Sequence, residues 1–384
     1  MIKRYPPNFW LLCLSSFLFF SSFNMIIPEL PAFMRTLDGE RFIGLHIAVF
    51  TITAGLSRPF SGKLTDKWGR VPVMVIGAVV TGVVTLFYPL VITIMGFLAL
   101  RFIHGFSTGF TPTGQAAYVA DVVSSDRRGE AMGLVSFFGM IGMGIGYFVS
   151  SKVVFAFGMN GLFFISSGIA VFSILIISGL KETVQVKEKF AWHMLKINWS
   201  DVYTPAALRP AVVMMLNCFC FGVVVSLFPD FSVSLGIQDK GLFFVYFSAA
   251  SLISRVVGGR LSDLFGRVPV IMASLLLVAV GSVLTGLSST PFMFFASAVV
   301  FGGGYGLASP SLFAWVVDVT PSDARGKGMS TLFLALEIGI GMGAFLSGLF
   351  YQGDTSRFPL IFGGAALLSV VAFLYLVATR PKKA

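Results

Sequence analysis

Two stretches decide the architecture. Ser57–Val73 reads SRPFSGKLTDKWGRVPV, and Ser254–Val270 reads SRVVGGRLSDLFGRVPV. They lie 197 positions apart and agree at ten of 17 residues. The same offset pairs Ala117, Asp121, Ser125, Asp126, Arg128, Gly129 and Met132 with Ala314, Asp318, Ser322, Asp323, Arg325, Gly326 and Met329. It also pairs Gly142, Gly144 and Gly146 with Gly339, Gly341 and Gly343. One register held over so long a stretch indicates a duplicated chain of two similar halves.

Composition says what the halves are made of. Apolar residues make up 56% of the 384 and charged residues only 11%, against about a quarter charged in soluble domains. Such a chain cannot cover a water-facing surface, whereas in lipid the helix satisfies its backbone groups internally. Uncharged runs set the lengths: Phe9–Pro28, Val153–Leu180, Phe358–Thr379 and the 50-residue Val268–Val317. About 20 residues cross the hydrocarbon, so the last of these crosses twice, turning where Gly, Ser and Pro cluster at Gly286–Pro291. The expected spans are 8–27, 43–62, 72–92, 94–118, 130–150, 160–180, 210–229, 241–259, 269–287, 292–316, 329–349 and 358–378. This is an all-α membrane protein of twelve helices in two pseudo-symmetric six-helix bundles. The bundles are residues 1–185 and 209–384, joined by a cytoplasmic linker at 186–208.

Orientation follows the Lys/Arg rule. An internal N-terminus puts 19 of 27 Lys/Arg inside, among them Lys3, Arg4, Lys63, Lys67, Arg70, Lys382 and Lys383. Both termini are then cytoplasmic, and the net charge of +10 reports topology and not a nucleic-acid surface. The first apolar run is too long for a signal peptide and lacks a small-residue cleavage site. Cys13, Cys218 and Cys220 fall within spans as packing residues. With three histidines in all, no cluster suits an enzyme, a metal or another cofactor.

The repeated motif reads as a latch at the inner membrane face. Gly62 and Gly259 admit a neighbouring helix. Asp66 and Asp263 place a carboxylate in the short loop, where it can face a helix N-terminus. Gly69 and Gly266 permit the turn, and Pro72 and Pro269 start the next helices. Arg70 and Arg267 are placed to pair with Asp121 and Asp318. A plain basic anchoring loop would explain the cations but not the fixed Gly, Asp and Pro.

At these residues the chain resembles the major facilitator superfamily, whose G-x-L-x-D-x-x-G-R signature stands here as Gly62, Leu64, Asp66, Gly69, Arg70 and again as Gly259, Leu261, Asp263, Gly266, Arg267. The resemblance implies alternating access by rocking of the halves, with the loop charges as a cytoplasmic latch. Arg101, Gly105 and Gly109 are similar to a helix-four motif of proton-coupled members. The antiporter motif of helix five is partly present, with Gly139, Gly142, Gly144 and Gly146 but no proline.

Ionisable groups inside spans are expensive and therefore candidates. Glu337, near mid-membrane, reads as a protonation site or as a structural hydrogen-bonding group. Arg101 reads as an anion or coupling residue, with snorkelling as the alternative. His104 shares its face and is a proton-relay candidate. Arg58 and Arg255, present in both halves, read as latch structure. Glu29 and Asp230, each after a proline at the outer ends of the first and seventh helices, read as gate or loop residues, with simple solvation as the alternative. Asn24, Gln115, Asn217 and Tyr246 are cavity-lining candidates because the first, fourth, seventh and eighth helices line the path in the resembled family.

The leading expectation is a monomeric, proton-coupled exporter of small organic or amphipathic molecules in a plasma membrane, such as a bacterial inner membrane. Its partners are substrate, protons and the lipid bilayer. A proton-linked importer of a sugar or small polar metabolite is the alternative, followed by a non-transporting receptor or scaffold.

Overall fold

The structure is a computed structural model describing residues 5–124, 127–184, 188, 190, 191, 194, 196, 202–321 and 324–379. Lys3, Arg4, Lys382 and Lys383 of the topology count, Ser125, Asp126, Ser322 and Asp323 of the repeat, and part of the linker lie outside the described residues.

The described residues form helices in the order expected. α1 (Pro7–Ile26) breaks at a short turn, Ile27–Glu29, which holds Pro28, and continues as α2 (Leu30–Arg35). Then follow α3 (Leu45–Lys67), α4 (Arg70–Phe87), α5 (Ile94–Val122), α6 (Arg128–Ser178), α7 (Leu208–Ser234) and α8 (Leu242–Phe265). α9 (Arg267–Gly286), α10 (Pro291–Val319), α11 (Arg325–Tyr351) and α12 (Phe358–Ala378) complete the chain. No strand occurs among the described residues.

α6 spans 51 residues as two helices that meet at a kink, where Gly158 leaves helical geometry with φ 72° and ψ 177°. At ~1.5 Å per residue a straight helix of that length would far exceed one bilayer. The chain therefore turns at Gly158, between the fifth and sixth expected spans. Ten described helical stretches are long and apolar enough to cross a membrane. α6 is one of them and crosses twice. α5 is long enough at 29 residues but is less apolar because it carries Arg101, His104 and Gln115. These make up the twelve crossings.

Matching local signals start the paired helices. Thr93 caps α5 by accepting from Gly96 N, and Thr290 caps α10 by accepting from Met293 N. These two threonines keep the repeat's offset. Gly69 and Gly266 precede α4 and α9 with φ of 145° and 87°, a region that side chains with a Cβ rarely enter.

Two compact units result. The first is Met1–Asp38 with Ile52–Asn198, and the second is Gly39–Thr51 with Trp199–Ala384. In the first, Phe9, Leu12, Phe19, Met74, Tyr118, Ala131 and Ile177 form the core. In the second, Val213, Met214, Ile271, Leu275, Leu312, Leu332 and Leu376 do so. Glycine sets the tightest packing in both. A Cβ on Gly142 would strike the Phe17 carbonyl of α1, and one on Gly339 the Met215 carbonyl of α7. Within the second unit, Gly44 lies against the Ala344 carbonyl of α11.

Two expectations about the latch are corrected here. A Cβ on Gly62 or Gly259 meets no atom of the described residues within 4 Å, so neither glycine serves a close approach to another described helix. Asp66 and Asp263 lie in the last turns of α3 and α8 and not in a loop, because helical hydrogen bonding runs on to Lys67 and Phe265.

Candidate functional site

At one end of the first unit Arg70 joins three elements. Its Nε donates to Asp121 Oδ2 on α5 at 3.0 Å, and its Nη1 reaches Asp66 Oδ1 at 3.3 Å and the Thr65 carbonyl. The second unit repeats this. Arg267 Nε donates to Asp318 Oδ2 at 2.9 Å, while Nη1 bonds Asp263 and Ser262 Oγ. Both pairings of arginine with the α5 and α10 acids are as the sequence led one to expect. Asp66 and Asp263 remain largely exposed, at 74% and 68%. Exposed ion pairs contribute only about 0–1 kcal/mol, so these clusters fix loop geometry more than they stabilise the fold.

Glu182 was not legible in the sequence. Its Oε1 accepts from Arg70 N at 3.0 Å and its Oε2 from Val71 N at 3.2 Å. It thereby caps the N-terminus of α4, where free N–H groups and the helix dipole favour a carboxylate. Gly69 makes room, since a Cβ there would strike the Glu182 carboxylate. Thr183 Oγ donates to Asp121 Oδ2, and Lys67 pairs with Glu188 at 3.1 Å. Met194 is buried with Leu64, Val73 and Phe110. Glu182→Ala should cost about 1–2 kcal/mol, the usual range for a lost cap. A melting temperature unchanged in detergent would count against that role.

Deeper in the first unit, Arg101, Tyr88 and His104 are enclosed together, each 0% exposed. Tyr88 Oη lies 2.9 Å from His104 Nδ1, and the Arg101 guanidinium lies beside the same hydroxyl. Phe97 and Phe163 flank the Tyr88 ring at 5.4 and 5.2 Å, and Phe23 meets His104 edge-on at 5.7 Å. Snorkelling by Arg101 is thus ruled out, because nothing of it reaches the surface.

The remaining candidates are spread out. Asn24 is buried and donates to the Phe20 carbonyl at 2.7 Å. Gln115 and Asn217 are buried, and Gln115 Nε2 and Asn217 Oδ1 have no hydrogen-bond partner among the described residues. Tyr246 is exposed and sits 4.9 Å from the Phe295 ring. Glu337 is buried midway along α11, within electrostatic reach of Cys218 and Tyr305. Glu29 and Asp230 are buried too, and Glu29 accepts from Ser151 Oγ at 2.7 Å. Burial removes the solvation alternative for them. Among the described residues the cysteines are free and buried.

Known proteins share this design. Multidrug resistance protein 2 of Bacillus subtilis (strain 168) is 25% identical over 96% of this chain and 94% of its own length. The multi-drug resistance efflux pump PmrA of Streptococcus pneumoniae serotype 4 is 25% identical over 86% of this chain and 84% of its own. A D-xylose–proton symporter structure superposes with a TM-score of 0.77 at 16% identity, covering 97% of both chains. The sequence profile of the Major Facilitator Superfamily matches residues 12–254 and 210–384. With both halves matched and ten described helical stretches long and apolar enough to cross a membrane, the chain is an integral membrane transporter belonging to the Major Facilitator Superfamily.

Proposed function

We propose that this protein is a proton-coupled exporter of small organic, amphipathic molecules. It works as a monomer in a bacterial inner membrane, with both termini in the cytoplasm. The observation that carries this reading is the naming of relatives, aligned over most of their length, as multidrug resistance and efflux proteins. Glu337 is the proton-coupling group, with Arg101 and His104 as supporting candidates. Asn24, Gln115 and Asn217 line the substrate path, and Tyr246 stands at its margin. Residues 1–185 and 209–384 are the moving halves, joined by 186–208. The Asp66–Arg70–Asp121 and Asp263–Arg267–Asp318 clusters are the latch elements, with Gly69 and Gly266 shaping their turns and Gly62 and Gly259 in the helices that lead into them.

Topology supports the direction of the termini through the Lys/Arg bias. The test uses everted membrane vesicles and a panel of cationic, neutral and anionic fluorescent dyes. An exporter accumulates dye in energised everted vesicles, and an ionophore that collapses the pH gradient stops it. Uptake into whole cells without accumulation in everted vesicles would establish the importer instead.

A further inference from the structure

The tightest packing in the second unit runs along α10, where Phe301–Leu307 reads FGGGYGL. Gly302 and Gly306, four residues apart, face α8, and a Cβ on either would strike the backbone of Phe247 or Ser251. Small residues at this spacing let two backbones meet. That approach brings Arg255, one turn inward of Ser251, within electrostatic reach of Tyr305. Arg255 is ~15 Å from the inner end of α8 at the helical rise per residue, and Tyr305 is at the middle of α10.

Arg255 differs from every other arginine described so far. Arg70 and Arg267 each hold two carboxylates, and Arg101 is sealed inside the first unit. Arg255 makes no hydrogen bond or ion pair among the described residues, and its buried Nε has no partner. Glu337 approaches Tyr305 as well but has other partners of its own. A guanidinium deep in a membrane without a counter-ion is expensive, and such groups mark function by default.

The surroundings describe a ligand. Arg255 and Tyr305 both keep part of their surface accessible. Phe221 stacks on Tyr305 at 4.8 Å, and Phe247 and Phe301 stand at 5.7 and 6.4 Å. Cys218 Sγ lies 3.7 Å from the Tyr305 hydroxyl. A guanidinium fork matches carboxylate, sulfonate or phosphate oxygens, and aromatic walls match an apolar body.

We propose that Arg255 anchors a substrate site in the second unit that takes an organic anion with an aromatic or apolar body. The guanidinium and the Tyr305 hydroxyl hold the anionic group, and Phe221, which stays partly accessible, holds the body. This rests on the transporter reading above and names the substrate class for it.

The test measures equilibrium binding to the full-length protein in nanodiscs by calorimetry. Three probes share one ring system: 1-naphthalenesulfonate, 1-naphthalenesulfonamide and 1-naphthylmethylammonium. The wild type should bind the sulfonate most tightly. Arg255→Gln should weaken the sulfonate by roughly 10–100-fold, the worth of a charged hydrogen bond, and leave the other two unchanged. Arg255→Met should raise the melting temperature of the unliganded protein, because it removes an uncompensated charge. A wild type with no preference for the anion overturns the proposal. So does equal weakening of all three probes, or a lower melting temperature in Arg255→Met. Should the arginine variants not fold, Tyr305→Phe keeps the ring and loses the hydroxyl; undiminished sulfonate binding there overturns it too. Binding needs neither direction nor coupling. An exporter of cations would therefore fail here and still pass the vesicle test.

Discussion

Glu337→Gln is expected to abolish accumulation driven by a pH gradient while the protein still folds and still exchanges substrate downhill. The side chain is buried at 6% exposure, halfway along α11. Glutamine matches glutamate in volume and hydrogen-bonding reach but cannot take up or release a proton. Each pH unit of gradient is worth about 1.4 kcal/mol per proton, or about tenfold in substrate concentration. A carrier that loses its single coupling proton equilibrates substrate and stops there. Two measurements on reconstituted protein separate coupling from damage. Gradient-driven accumulation should collapse, and substrate counterflow without a gradient should persist. Normal accumulation by Glu337→Gln would remove Glu337 from the coupling role. Loss of both activities with a lower melting temperature would instead mark a structural hydrogen-bonding group. Asp gives a third point. Glu337→Asp retains a titratable carboxyl and should keep coupling at a reduced rate.

Much of the fold is readable before any coordinates, because lipid imposes a coarse rule on composition. Twelve mostly apolar stretches of crossing length, the two halves repeating in register, leave little freedom, and α12 begins and ends where the sequence places it. The errors have physical causes. Charges at Lys63 and Arg260 suggest that the second and eighth spans end near Gly62 and Gly259. Backbone hydrogen bonds nevertheless continue one more turn into the aqueous edge. A glycine in a motif suggests a contact, yet contact depends on what stands opposite, and no described residue does at Gly62 or Gly259. Glu182 is separated from Arg70 by 112 positions, and no periodicity links the two. Arg101 and Arg255 look alike in sequence, as lone arginines within apolar runs. Only their surroundings distinguish a sealed guanidinium beside a tyrosine from an accessible one without a partner.

That distinction makes the other large effect predictable. Arg101→Lys should be nearly as damaging as Arg101→Ala, which a snorkelling arginine would not show. Arg101, Tyr88 and His104 are all fully enclosed, so water cannot replace a lost interaction. A guanidinium carries donors and no acceptor. Beside it the Tyr88 hydroxyl lies 2.9 Å from His104 Nδ1 and shares a hydrogen bond with it. A lysine ammonium is a compact point charge on a flexible stem and cannot reproduce the planar fork. It would leave the tyrosine misaligned and a cavity where the guanidinium stood. Breaking a buried polar cluster costs about 3–5 kcal/mol, which in a domain of roughly 200 residues lowers the melting temperature by about 2–4 °C per kcal/mol. Tyr88→Phe should be milder, about 1–3 kcal/mol for one unsatisfied group. It should also release the tautomer of His104, visible in the nitrogen chemical shifts of the imidazole. A Lys variant with wild-type melting and transport would show that charge alone matters at this position, and the hydrogen-bonded cluster would then have no part in holding the first unit together.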